Sequence, residues 1–156
     1  MPHKALAGCG RHNPAMPTAL SLLRLLRPHQ WAKNLLVLVA VLTAHRFSDL
    51  LAWHAALLMF VAFCLAASAI YVINDAVDVT ADRGHPDKSL RPFASGALPV
   101  AIAWWLAPLL LGAAALLAQL LNRDAQLALA VYVSLSVGYS FVFKRVLWLD
   151  VMVLAA

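Results

Sequence analysis

Charged residues are scarce in this sequence, and glutamate is absent. Only 12% of the 156 residues are charged, whereas 63% are hydrophobic. Soluble domains usually have about 25% charged residues. The composition therefore excludes an ordinary soluble protein and predicts a lipid bilayer as the solvent.

Cysteine is scarce too, which excludes two further classes. Cys9 and Cys64 are too few for a disulfide framework or a cysteine-based metal site, and we expect both to be free thiols. The six histidines show no spacing typical of metal ligands. No apolar core precedes Cys9, so we expect no cleavable targeting segment.

Long runs without a charged residue predict an all-α fold, a polytopic transmembrane helical bundle. Residues 50–73, 98–121 and 125–143 are each long enough to cross a hydrocarbon core of about 30 Å at about 1.5 Å per residue. A shorter run, residues 34–44, reaches that length only if its helix includes residues upstream of Lys33. Before it, residues 20–26 predict an interfacial amphipathic helix that breaks at Pro28.

The two ends of the chain set its expected organisation. The apolar run that follows Asp150 reaches Ala156 before it is long enough to span a membrane. We therefore expect four spans and the start of a fifth, with the C-terminal end truncated. Residues 1–23 are predicted to form an N-terminal cytoplasmic tail, and residues 24–156 the transmembrane domain.

The basic residues predict the orientation. If the N terminus is cytoplasmic, ten of the twelve Lys and Arg residues lie inside, and only Arg46 and Arg123 lie outside. This bias agrees with the positive-inside rule, and it places the aspartate-rich loop in the cytoplasm. The basic residues lie between apolar runs rather than on one polar face, so we expect no nucleic-acid partner.

The acidic residues concentrate at one helix end. Four of the seven lie within residues 75–87. We expect the helix of residues 50–73 to continue into them and to break near Gly84 and Pro86. At 100° per residue, four polar side chains then share an arc of about 100°: Asn74, Asp75, Asp78 and Asp82.

This acidic face predicts a cation. Like charges on one helix face repel unless a positive ion lies between them. Magnesium fits, because it is typically shared between one or two carboxylates and the phosphates of a substrate. Basic side chains that could hold a diphosphate follow in the next loop: Arg83, His85, Lys88 and Arg91.

A plainer interpretation is that these are solvated loop charges that fix the topology. That interpretation is the better one for Arg91, Lys144 or Arg145 taken singly. It explains the aspartates poorly, because topology requires no acidic residues. Tyr139 and Lys144, at the next cytoplasmic turn, are a weaker pair of candidates.

Residues 74–83, with the sequence NDAVDVTADR, resemble the first aspartate motif of the UbiA superfamily of intramembrane prenyltransferases, NDxxDxxxDR. Residues 85–88, 91–96 and 27–34 look more like the branch of polyprenyl-phosphate (decaprenyl-phosphate) phosphoribosyltransferases than like the aromatic prenyltransferases. The resemblance covers residue 24 to the end. It implies about nine helices in the full family and a bacterial inner-membrane location.

The resemblance also implies a chemistry. Members use Mg²⁺ to bind a diphosphate leaving group, and they join an electrophilic carbon to an acceptor. In the phosphoribosyl branch the donor is phosphoribosyl pyrophosphate and the acceptor is a polyprenyl phosphate, whereas the aromatic branch uses a prenyl diphosphate. The expected partners are therefore a polyprenyl lipid, a diphosphate-bearing donor and the bilayer.

The resulting assignment has a catalytic metal set and a substrate-binding set. The metal-binding and catalytic residues are Asp75, Asp78 and Asp82. The substrate-binding residues are Asn74, Arg83, Lys88 and Arg91, with Lys33, Tyr139 and Lys144 as further lining residues.

Three questions remain open at this stage. One rival function is a transporter or cation channel, although polar residues in the span interiors are few. A second possibility is an inactive fragment, because the second aspartate motif of the family is expected in or beyond the missing part and Asp150 cannot be assigned to it. The oligomeric state is the third.

Overall fold

The computed structural model describes residues 18–140, and this part of the chain folds into α-helices and 3₁₀ turns without a strand. The α-helices are α1 (Thr18–Leu26), α2 (Leu36–Thr43), α3 (Leu50–Val77), α4 (Val79–Arg83), α5 (Ala103–Gln119) and α6 (Arg123–Gly138). The 3₁₀ segments are Pro28–Leu35, Lys88–Leu90 and Val100–Ile102. The predicted all-α class is confirmed.

The helical structure is interrupted between α1 and the 3₁₀ segment, as predicted from Pro28. A proline ring disfavours the right-handed α conformation in the residue before it. Arg27 has φ 51° and ψ 57°, in the left-handed region. Helical structure then runs from Pro28 through α2, so the helical stretch that contains most of the apolar run also includes residues upstream of Lys33.

The longest helix, α3, begins at a side-chain cap and ends at the aspartate motif. The Asp49 carboxylate accepts a hydrogen bond from the Ala52 backbone N–H at 3.0 Å. The α3 helix ends at Val77, and α4 follows after Asp78. The Asp82 N–H still donates to the Asp78 carbonyl at 2.8 Å, so the helix does continue to Arg83, with one interruption at Asp78.

Two helical stretches are long and apolar enough to cross a membrane, residues Leu50–Val77 and Val100–Gln119. They correspond to the first two long runs of the sequence. The third predicted span, residues 125–143, begins within α6, and its last three residues lie outside the described part. The proposed boundary between residues 23 and 24 falls inside α1 and stays a prediction, as does the orientation.

Small residues let α3 pack closely against α5. One core cluster contains Ala69 and Ala107, and a second contains Ala66 and Ala114, all at most 5% exposed. Alanines at such contacts bring two backbones close together, which is how membrane helices gain packing contacts. This pairing makes α3 the central helix of the described part, with its C-terminal end at the aspartate motif.

The loop between α4 and α5 is anchored by a buried side chain that packs against α1 and α3. Phe93 is 1% exposed and belongs to the same core cluster as Leu25 of α1 and Val72 of α3. The Leu98 N–H donates to the Pro92 carbonyl at 3.1 Å. The loop therefore has a fixed path, which determines where Arg91 lies.

Candidate diphosphate site

Two aspartates of the motif are buried together at the end of α3. Asp75 and Asp82 are each 3% exposed. They are seven positions apart, about two helical turns, so they lie on the same face. A buried carboxylate requires a compensating partner, and each of these has one.

Arg91 is the partner that joins the two aspartates. Its Nη1 lies 3.2 Å from Asp75 Oδ1 and 2.6 Å from Asp82 Oδ2. The anchored loop brings it there, because Pro92 and Phe93 are both buried beside it. Arg91 was predicted to bind phosphate, and the structure places it beside both aspartates.

Arg27 is a second partner, and the sequence analysis did not assign it. Its Nη2 lies 2.6 Å from Asp75 Oδ1, and its guanidinium lies 4.9 Å from the centre of the Tyr71 ring. The signal in the sequence was a basic residue directly before the proline that breaks the helix. Nothing in the sequence pairs it with an aspartate 48 positions away.

The two arginines leave one oxygen of each aspartate for another ligand. Among the described residues, hydrogen bonds reach Oδ1 of Asp75 and Oδ2 of Asp82, and the second oxygen of each accepts none. No buried polar side-chain atom of the described part lacks a hydrogen-bond partner. Neither second oxygen is therefore a buried atom that lacks a partner.

The two aspartates fit a magnesium site that is shared with the phosphates of a substrate. Within residues 18–140, no three His, Cys, Asp or Glu side chains come close enough to hold a metal by themselves. Magnesium is commonly held by one or two carboxylates, waters and substrate phosphates. Two carboxylates with one free oxygen each suit that arrangement, and they do not suit an all-protein cage.

Three other predicted site residues, Asp78, Arg83 and Lys88, are less buried than Asp75 and Asp82. Asp78 is half-buried at the interruption between α3 and α4. Arg83 is exposed, and its Nε donates to the Ala94 carbonyl at 3.3 Å. Lys88 is exposed in a 3₁₀ turn. Among the described ion pairs, neither Arg83 nor Lys88 reaches an aspartate.

Asn74 contacts Ser140, two residues after the end of α6. Its Nδ2 donates to the Ser140 Oγ at 3.1 Å. A cavity of about 430 Å³ lies between α3 and α6, and the residues lining it include Tyr71, Asn74, Tyr132, Ser136, Tyr139 and Ser140. Asn74 and Tyr139 thus line one cavity. Lys33 is exposed on the 3₁₀ segment, and Lys144 lies outside the described residues.

Comparison with known families decides the classification. A sequence profile described as the UbiA prenyltransferase family matches residues 34–156. The chain belongs to this family. The resemblance found in residues 74–83 is confirmed, and the fold is the helical membrane fold of UbiA proteins.

Named relatives support the phosphoribosyltransferase branch of the resemblance. The chain is 41% identical over 141 residues to a decaprenyl-phosphate phosphoribosyltransferase of Mycolicibacterium smegmatis, covering 86% of this chain and 44% of the relative. It is 40% identical over 146 residues to the same-named protein of Corynebacterium glutamicum, covering 90% and 44%. A nodulation protein NoeC of Azorhizobium caulinodans is 41% identical over 133 residues, covering 83% and 42%. The chain thus spans less than half the length of these relatives.

Proposed function

We propose that this UbiA chain carries the diphosphate half-site of a magnesium-dependent transferase. The half-site is the set Arg27, Asp75, Asp82 and Arg91, with Asp78 at the helix interruption. The proposed reaction moves a phosphoribosyl group from phosphoribosyl pyrophosphate to a polyprenyl phosphate. The observation that carries the proposal is the buried Asp75–Arg91–Asp82 contact at the end of a membrane helix, and the names of the relatives support the choice of substrates.

Each residue of the half-site has a proposed role. The free oxygens of Asp75 and Asp82 would hold Mg²⁺ together with phosphate oxygens of the substrate, and Asp78 is proposed to join them when the diphosphate is bound. Arg83 and Lys88 are proposed to bind phosphate oxygens, together with the N–H groups of Arg91 that do not contact the aspartates, because guanidinium and ammonium groups neutralise phosphate by charge-assisted hydrogen bonds. The cavity with Asn74 and Tyr139 receives the part of a substrate next to the diphosphate. Lys33 and Lys144 are further proposed lining residues.

The proposed transfer conserves all atoms and charges. The bond between C1 of the ribose and the diphosphate oxygen breaks, and diphosphate leaves with the electron pair. An oxygen of the lipid phosphate forms the new bond to C1. Cationic side chains fixed near the departing oxygens stabilise the negative charge that develops there. Bound Mg²⁺ supplies further positive charge to the same oxygens.

The half-site is proposed to face the cytoplasm at the plasma membrane of a bacterium. The positive-inside distribution of Lys and Arg supports this side. The location accounts for the two proposed substrates, because a polyprenyl chain stays in the bilayer while a sugar diphosphate approaches from water. In a Cys9→Ser background, a cysteine introduced at the exposed Ala97 of the loop should react with an impermeant thiol reagent only in membranes whose cytoplasmic face is open.

The donor is tested by incubating membranes that contain the full-length protein with labelled phosphoribosyl pyrophosphate and polyprenyl phosphate. We expect labelled lipid-linked ribose, and we expect Asp75→Asn to abolish it. Asp87→Asn is the matched control, because Asp87 is an exposed aspartate in the loop that follows the motif. Label transfer only from a prenyl diphosphate would favour the isoprenoid-donor alternative. Equal activity of the Asp75 and Asp87 variants would overturn the site assignment.

A further inference from the structure

Four polar contacts join residues 27–34 to one stripe of α3. The stripe residues are three or four positions apart, so they share a helix face. The contacts are Asn34 Nδ2 to Cys64 Sγ at 3.4 Å, Trp31 Nε1 to Ser68 Oγ at 3.0 Å, Tyr71 Oη to Gln30 Oε1 at 3.4 Å, and Arg27 Nη2 to Asp75 Oδ1 at 2.6 Å. We call these four contacts the polar seam. Polar contacts of this kind add to helix association in membranes.

Arg27 is held at the end of the polar seam by more than its ion pair. Its left-handed φ of 51° is uncommon for a residue other than glycine. The Ser68 hydroxyl donates to the carbonyl of the preceding residue, Leu26, at 2.9 Å. The guanidinium also lies over the Tyr71 ring, where a cation–π attraction stabilises it. The surrounding structure thus fixes both the backbone and the side chain of Arg27.

Two arginines compensate the charge of the two buried aspartates of the half-site. Arg27 and Arg91 bind the same oxygen of Asp75, and Arg91 also binds Asp82. Two guanidinium groups therefore face two buried carboxylates. Both carboxylates are therefore held in a fixed orientation before a metal–diphosphate complex binds.

We propose that Arg27 is a positioning residue of the diphosphate half-site and acts through Asp75. By binding Oδ1, it fixes the side-chain rotamer of Asp75 and keeps Oδ2 available for the metal–diphosphate complex. The inference rests on the proposed function for the identity of that ligand. The polar seam is the device that sets Arg27 in place, which gives the stretch of residues 27–34 a physical role at the site.

The role of Arg27 differs from that of an ordinary ion-pair partner. A residue that only stabilised the fold would change the amount of folded protein and leave the metal affinity of the folded fraction unchanged. A residue that orients a metal ligand changes that affinity. Outer partners of metal ligands typically contribute about 10–100-fold to metal affinity, and this range sets the size of the expected effect.

The test uses the purified full-length protein in detergent, with Mn²⁺ as the probe for the magnesium site. Mn²⁺ binding in the presence of inorganic pyrophosphate is measured by electron paramagnetic resonance, and the unfolding temperature is measured in the same samples. We expect Arg27→Ala to weaken Mn²⁺ binding about tenfold or more and to lose most of the thermal stabilisation that Mg²⁺ and pyrophosphate give. Arg27→Lys should be intermediate, because an ammonium keeps the charge but not the planar fork.

Arg24→Ala is the matched control, because Arg24 is an exposed cation one turn earlier on α1. It should bind Mn²⁺ with wild-type affinity. Wild-type affinity in folded Arg27→Ala would overturn the inference. If that variant does not fold, Arg27→Lys decides: reduced affinity supports the positioning role, and unchanged affinity contradicts it. Wild-type protein that binds Mn²⁺ normally but forms no lipid-linked ribose would refute the proposed donor while leaving the positioning role intact.

Discussion

Arg91 Nη1 lies 3.2 Å from Asp75 Oδ1, although the two residues are 16 positions apart and belong to a loop and a membrane helix. The same nitrogen lies 2.6 Å from Asp82 Oδ2. Arg91 therefore links the two ends of the aspartate motif through one guanidinium. This link holds the two buried carboxylates side by side, and in the proposed function it orients them toward a common ligand.

Removal of Arg91 should affect both stability and activity. Breaking a buried ion pair costs about 3–5 kcal/mol. Arg91 is 27% exposed, so the cost should be at or below the lower end of this range. We expect Arg91→Gln to lower the free energy of unfolding by about 3 kcal/mol or less. Thermal unfolding of the full-length protein in detergent measures this change. Transfer activity should fall further than the folded fraction does. Arg123→Gln, at an exposed position of α6, is the control that should change neither.

The buried side chain of Phe93, which anchors the loop, should matter for stability and activity as much as the charge of Arg91 does. Phe93 is 1% exposed, and Phe→Ala changes in a core typically cost about 3–5 kcal/mol. Phe93→Ala should therefore lower the unfolding temperature and reduce activity by releasing Arg91 from the aspartates. The comparison is Leu90→Ala at a position that is 66% exposed. Equal effects of the two substitutions would contradict the anchoring role.

Close packing of α3 on α5 predicts intolerance of larger side chains. Ala66 is fully buried and belongs to the cluster that contains Ala114 of α5. Ala66→Leu should destabilise the protein by about 1–3 kcal/mol, because overpacking forces side chains and backbone to shift. Unfolding in detergent provides the measurement. Ala128→Leu, on the exposed face of α6, should have a small effect, and a similar loss in both variants would refute the packing argument.

Asp49 should make stability depend on pH in acid. The Ala52 backbone N–H lowers the pKa of Asp49 below its usual value, and Arg46 adds to the effect. Because the folded-state pKa is the lower one, the ionised cap stabilises α3 fully above the unfolded-state pKa. This stabilisation is lost as the pH falls through the folded-state pKa. Unfolding of Asp49→Ala across the same acid range should lack this contribution, whereas an unchanged pH profile would contradict it.

Local sequence patterns predicted the helices well. The uncharged runs determine α3 and α5, and the proline after Arg27 determines the break that follows α1. The polar residues after residue 73 were correctly expected to extend the helix, since Gly84 and Pro86 are the first strong breakers. These features depend on neighbours in the sequence, so a single chain contains enough information to predict them.

The pairing of charges could not be predicted in the same way. Asp75 and Asp82 were expected to need a positive partner, for which a metal cation was predicted, and the structure shows that Arg27 and Arg91 also lie beside them. The Arg27 contact depends on how α1 lies against α3, and the Arg91 contact depends on the burial of Phe93. Both are tertiary effects across 48 and 16 positions, and helical spacing carries no information about them.

The central claim is that the aspartates at the end of α3 bind a metal–diphosphate complex. The most direct measurement is the affinity of the full-length protein for Mn²⁺ in the presence of pyrophosphate, compared among Asp75→Asn, Asp78→Asn and the exposed-loop control Asp87→Asn. We predict that binding is lost in the first two variants and retained in the third. Wild-type affinity in both Asp75→Asn and Asp78→Asn would contradict the claim.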